Sequence, residues 1–155
     1  MKRILTMTLA LVLALSLAAC GKEELPAPYT VDTAAAFAQA EVFSEELEEL
    51  DGDTAFALYR LADYGLDRED LTETAVLRSS GATCEECAVL IFADAEQAAQ
   101  GEAALKDYVQ AQLEANADYR PQEVPKLEKA LIDRVDNTLL LLVASNADTV
   151  KTAIA

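Results

Sequence analysis

No histidine and no tryptophan occur in the 155 residues of this chain. The first absence removes the commonest general base near neutral pH and the commonest neutral metal ligand. The second weakens any case for a sugar-stacking platform. Glycine is sparse, at five residues, and no Gly-rich loop follows a strand pattern, which argues against a Rossmann or P-loop phosphate site. Positive charge is scarce as well. Twelve Lys and Arg stand against 28 Asp and Glu, for a formal net charge of −16. Such a surface is repelled by phosphates and anionic head groups, so nucleic acid is a poor partner. The acidity serves solubility first, and cationic peptides, metal ions and basic protein surfaces remain compatible with it. No internal repeat or low-complexity tract is present.

One apolar run stands out, and it is short for a membrane span. Met1-Lys2-Arg3 is followed by an almost unbroken apolar stretch from Ile4 to Leu17, the pattern of a signal-peptide leader. Small residues then lead into a cysteine at Leu17-Ala18-Ala19-Cys20-Gly21, which reads as a lipobox. The expectation is lipidation of Cys20, cleavage between Ala19 and Cys20, and a chain anchored to the membrane on its extracytoplasmic face without spanning it. Two or more acyl chains make such attachment stable, at roughly 0.8 kcal/mol per buried CH₂. Loss of Lys2 and Arg3 with the leader takes the net charge to about −18.

The organisation expected is a signal peptide over 1–19, a lipidated cysteine and flexible tether over 20–33, and a single domain over 34–155. Pro26 and Pro28 favour an extended tether. About 14 stretched residues reach on the order of 45 Å. Phe37, Ala40, Phe43, Leu47 and Leu50 then recur at helical spacing, with glutamates mostly outside the stripe. Gly52 suits the end of that helix and Asp53 the N-cap of a second, over Thr54 to Leu61. Asp51-Gly52-Asp53 lacks the further ligands of a calcium loop and is read as capping.

Thr74 to Ser79 and Cys87 to Phe92 are rich in β-formers and predict a first hairpin. Asp94, with Gln97 three residues on, predicts the N-cap of a long helix to about Asp118, burying Ala98, Leu105, Tyr108, Val109 and Leu113. Pro121 and Pro125 end it. Leu131 to Val135 and Thr138 to Ala144 predict a second hairpin turning at Asp136-Asn137. Leu139 to Val143 is apolar throughout, which predicts a central strand covered on both faces. A closing helix from Asn146 or Asp148 is expected to carry Val150 and Ile154. The order ααββαββα describes an α+β fold with a four-stranded antiparallel sheet of two hairpins packed by helices.

The lipobox leader, Leu58-Tyr59, Ser79-Ser80-Gly81-Ala82-Thr83 with Glu86 close behind, Tyr119-Arg120-Pro121, and Glu123-Val124-Pro125-Lys126-Leu127 together resemble the small bacterial lipoproteins grouped as domain of unknown function 4358. The resemblance runs from about Phe37 to the C-terminus. It implies a surface location, mainly in Gram-positive anaerobes, and no assigned activity. Two places depart from that pattern. Cys84 and Cys87 stand where such proteins usually carry small or aliphatic residues, and Asp136-Asn137-Thr138 replaces a Gly-Asn-aromatic hairpin.

Cys84-Glu85-Glu86-Cys87 is the constellation with the clearest chemical potential. Its readings are an inert pair or local disulfide, a redox pair, or a shared metal site. Glu85 and Glu86 oppose thiolate formation, and two thiolates fall short of the four ligands of structural zinc. Ser79 and Ser80 lack a His partner, and no spacing selects Lys106 or Lys126 as a substitute base. Ser79, Ser80, Gly81 and Thr83 form a polar loop that either recognises a ligand or turns the chain. The sequence therefore predicts no catalytic residue, cofactor or metal. It favours a noncatalytic binding module at the cell envelope, with a protein or peptide partner. The alternatives are a thiol-disulfide oxidoreductase using Cys84 and Cys87, and a small-solute receptor.

Overall fold

The computed structural model describes residues 27–146. The leader, the Ala19/Cys20 junction and the expected closing helix beyond Asn146 lie outside the described residues. Four helices, two 3-10 turns and five strands follow in order: α1 (Val31–Gln39), β1 (Glu48–Leu50), α2 (Gly52–Leu58), β2 (Leu71–Arg78), β3 (Glu86–Phe92), α3 (Ala95–Ala117), α4 (Val124–Glu128), β4 (Leu131–Val135) and β5 (Thr138–Val143). The turns, Leu61–Tyr64 and Arg68–Asp70, lie between α2 and β2. The strands form one antiparallel sheet of order β1-β2-β3-β5-β4. Among the described residues no helix is long and apolar enough to cross a membrane.

The α+β class, both hairpins and the long helix stand as the sequence indicates. Asp94 caps α3 by accepting from the Gln97 amide at 2.9 Å. Asp136 turns the second hairpin with φ +53°, and Asn137 ties that turn to β3. It accepts from Phe92 N at 2.9 Å and donates from Nδ2 to Phe92 O at 2.6 Å. β5 is buried along its whole length. Leu139, Leu141 and Val143 enter the core under α2 and α3, whereas Leu140 and Leu142 enter the core under α1. Each such fully buried leucine contributes about 2 kcal/mol of hydrophobic stabilisation.

The sheet has five strands, however, because the long N-terminal helix expected to run to Leu50 stops early. Glu41 takes a left-handed φ of +54°, which ends the helix and releases the chain to cross the sheet edge. Glu48–Leu50 then pairs with Val76–Arg78 as β1. Phe37 remains a core residue beside Ala34, but Val42 replaces Ala40 as the next buried position. The helical stripe read in the sequence therefore combines a helix, a loop and a strand that face the same apolar layer only in part.

The helix also begins earlier than expected, inside the segment read as tether. Tyr29 N donates to Thr138 Oγ1 at 2.9 Å, and Tyr29 OH donates to Asp133. These bonds fasten the chain to the second hairpin two residues before Val31. The second helix is displaced too. Asp51, not Asp53, is its N-cap, accepting from the Asp53 and Thr54 amides at 3.0 and 2.9 Å. Gly52 is the first helical residue and not a C-terminal stop. A Cβ there would stand 2.5 Å from Arg68 Nη2, the mobile end of a long side chain that would have to shift.

Candidate functional site

The turn from β2 to β3, residues 79–85, and Glu86 at the start of β3 gather polar groups from five parts of the chain. Ser79 Oγ and Thr83 Oγ1 both donate to Glu45 Oε1, at 2.6 and 2.7 Å. Those two bonds hold the Glu45 carboxyl below its ordinary pKa, the Ser79 bond contributing most. Ser79 Oγ in turn accepts from Gly81 N and Thr83 N. Gly81 supplies the one φ in the loop, +122°, that side-chain-bearing residues avoid. Arg120, anchored at Asn116 Oδ1 by a 2.8 Å bond, donates to Gly81 O at 2.9 Å. Ser79 and Thr83 thus brace the loop, while Ser80 is exposed.

Glu85 follows, fully buried. Its Oε2 accepts from Ser44 N at 2.7 Å and Ser44 Oγ at 2.9 Å, and its Oε1 from Ser145 Oγ. Lys126 Nζ lies 3.3 Å from Glu85 Oε1 and 3.1 Å from Glu123 Oε2. Burial opposes the Glu85 charge, but the Ser145 and Ser44 bonds and the Lys126 ammonium outweigh it, so its pKa is lowered. Lys126 keeps its proton more firmly than an ordinary lysine: burial works against the charge, and the Glu123 and Glu85 carboxylates overcome it. A lysine clamped this way is an ion-pair partner and not a general base for Ser79. Glu123 Oε2 also accepts from Cys84 N at 2.8 Å.

Glu86 turns toward the opposite side. Its Oε1 accepts from Tyr59 OH at 2.5 Å, and its Oε2 from Tyr108 OH at 2.7 Å and Arg78 Nε at 3.2 Å. Burial is the dominant influence and raises the Glu86 pKa despite these three donors. The Tyr59 and Tyr108 rings meet edge to face, 5.0 Å between centroids. Both phenols are pushed upward by burial and by the neighbouring carboxylate.

The two thiols are free and face different surroundings. Cys84 is half-buried against the core of α2 and α3, and Cys87 is fully buried in the core of α1. Burial, followed by the Glu86 charge, pushes Cys87 up to about 12. Burial likewise raises Cys84, with Arg120 partly opposing it. Among the described residues no group of three or more Cys, Asp or Glu is placed to hold a metal ion.

A groove of about 400 Å³ opens on the outer side of Tyr59 and Tyr108, between α3 and the chain from Leu58 to Tyr64. Tyr64 OH donates to Asp107 within its lining. The sequence reading placed Tyr108 in the core and passed over Tyr64 and Asp107. The available signal was the Ala104, Asp107, Tyr108, Ala111 spacing, which puts two polar residues between two small ones on one helix face.

The dispersed motifs now fall into two adjoining sets. Ser79, Gly81, Thr83, Arg120, Glu123 and Lys126 make contacts within or onto residues 79–85, and Tyr59 belongs to a separate set around Glu86. Tyr119, next to Arg120, is exposed. No curated protein and no solved structure matches the chain. A family described as Domain of unknown function (DUF4358) matches over residues 45–144.

Proposed function

Starting from the fact that this chain belongs to the DUF4358 family, we propose that it is a membrane-anchored extracytoplasmic lipoprotein acting as a noncatalytic binding module at the cell envelope. The address rests on the leader and Cys20. One structural observation carries the binding role: the Ser79 hydroxyl, the Lys126 ammonium and the Glu86 carboxyl each already have fixed intramolecular partners. Ser79 donates to Glu45, Lys126 lies between Glu85 and Glu123, and Glu86 accepts from two phenols and Arg78. Nucleophilic chemistry requires a nucleophile and base aligned on each other with room for substrate. This arrangement instead braces from beneath the loop that exposes Ser80, Gly81 and Ala82, and a stiff loop lowers the entropic cost of recognition.

The thiol-disulfide alternative draws less support from the geometry. An attacking cysteine works best with a pKa near ambient pH, and both thiols are shifted upward. A photo-crosslinking residue at the exposed Ser80 position, used on intact cells, tests the proposal. A discrete adduct is expected, persisting in the Cys84→Ser/Cys87→Ser double variant. Cys20→Ala is expected to release the protein from the membrane fraction. Cysteine-dependent turnover of a disulfide substrate by the purified chain, with no adduct on cells, would reverse the reading.

A further inference from the structure

The groove beside Tyr59 and Tyr108 has a chemical bias. Tyr59 and Tyr108 donate to Glu86, and Tyr64 donates to Asp107. A phenol carries one proton, so all three hydroxyls have committed theirs to carboxylates. What the half-buried Tyr64 and Tyr108 retain for a ligand is lone pairs and electron-rich rings. Asp63 and Asp107 add two carboxylates to the lining. The one cationic side chain there is Arg60, 78% exposed and drawn to Asp63 at 2.5 Å. An anion would meet acceptors and like charge, and a neutral alcohol would find few donors.

Shape agrees with that bias. Ala104 and Ala111 leave space along α3 on either side of Asp107 and Tyr108. The volume of about 400 Å³ falls at the small end of ligand sites, which run from roughly 300 to 1,000 Å³. Aromatic rings and carboxylates together attract ammonium groups, and the acidic field of the whole chain concentrates cations near the surface. The geometry points to this groove as a binding site for a small organic ammonium ion, such as a short mono- or diamine, held by Asp107 and Asp63 beside the Tyr64 and Tyr108 rings. This assignment rests on the binding-module reading and gives it a ligand class.

Calorimetric titration of the full-length chain in neutral detergent tests it, with 1,4-diaminobutane, tetramethylammonium and the uncharged 1,4-butanediol as probes. The diamine is expected to bind saturably and the diol not to bind. Asp107→Asn, at an exposed position, is expected to weaken the diamine about tenfold, the loss of one charge-assisted hydrogen bond. Tyr64→Phe leaves that carboxylate unengaged and is expected to preserve or tighten binding. Glu49→Gln removes one charge outside the groove and is expected to leave the titration unchanged. Tetramethylammonium binding at similar strength assigns recognition to the rings and charge, and weaker binding assigns it to N–H donation; either supports an organic cation. Absence of saturable cation binding, equal binding of the diol, or equal weakening by Asp107→Asn and Glu49→Gln overturns the assignment. A failed titration with the Ser80 adduct intact rejects the ligand class alone. A lost adduct with an intact titration rejects the partner reading.

Discussion

Glu85 and Glu86 are consecutive, 0% and 2% exposed, and differ in nearly everything that burial alone would make equal. Glu85 sits where the loop between α1 and β1, the end of β5 and α4 meet, with two serines and an ammonium around it. Glu86 sits under α2 and α3, among two phenols and an arginine. The first carboxyl has its pKa lowered and the second raised. The contrast shows that desolvation acts on both and the donors decide the sign. It also shows a single polar dipeptide fastening both layers of the protein to the mouth of one hairpin.

The largest effect is expected from removing the cation on the Glu85 side. Lys126→Met leaves Glu85 and Glu123 without their shared partner, and the urea midpoint is expected to fall by the equivalent of about 3 kcal/mol. A midpoint within error of the parent would mean that the serines alone sustain Glu85. On the other side, Tyr59→Phe removes one of three donors to Glu86 while preserving the ring, with an expected loss of about 2 kcal/mol. If both variants lost the same amount, the asymmetry drawn between the two sites would fail.

Stability profiles against pH sharpen the comparison further. Glu85, with a lowered folded pKa, contributes stability that is present above its ordinary value of 4.5 and lost as pH falls through the lower folded value. Glu86, with a raised folded pKa, contributes stability that is present below 4.5 and lost as pH rises through the higher folded value. The deficit of Glu85→Gln relative to the parent should therefore grow from acid toward neutral pH, and that of Glu86→Gln should shrink. Parallel profiles would break the contrast. The smallest effect concerns the flanking thiols: under native conditions a maleimide should label Cys84 before Cys87, and Cys84→Ser should leave the melting temperature nearly unchanged. Equal labelling rates would contradict the burial of Cys87.

Strands β2 to β5, the second hairpin and the α3 cap were legible because each has a local cause: apolar and β-branched runs, a turn residue that tolerates positive φ, and an aspartate ahead of a helix. β1 was illegible for an equally physical reason. Three residues carry too little period to separate a strand from a helix end, and the left-handed conformation of Glu41 has no glycine to announce it. The polar site was visible only in fragments. Ser79 to Thr83 and Glu86 stand together in the sequence, but Glu45, Ser44, Lys126 and Ser145 come to them through long-range folding. Capping at Asp51-Gly52-Asp53 was correct in kind and two residues out in place. A glycine read as a stop is instead the first residue of the second helix.

The short β1 strand also governs how this molecule meets copies of itself. A sheet edge offers unpaired amides and carbonyls to any extended chain nearby. Here that edge is three residues long and bears the exposed Glu48 and Glu49. A second sheet approaching in register would bring like charges into contact over too few hydrogen bonds to compensate. The far edge, β4, carries Asp133 and Arg134, and Tyr29 reaches across it to Asp133. Charged residues on both margins of the sheet thereby disfavour its continuation into a neighbouring copy, a safeguard against fibrous stacking.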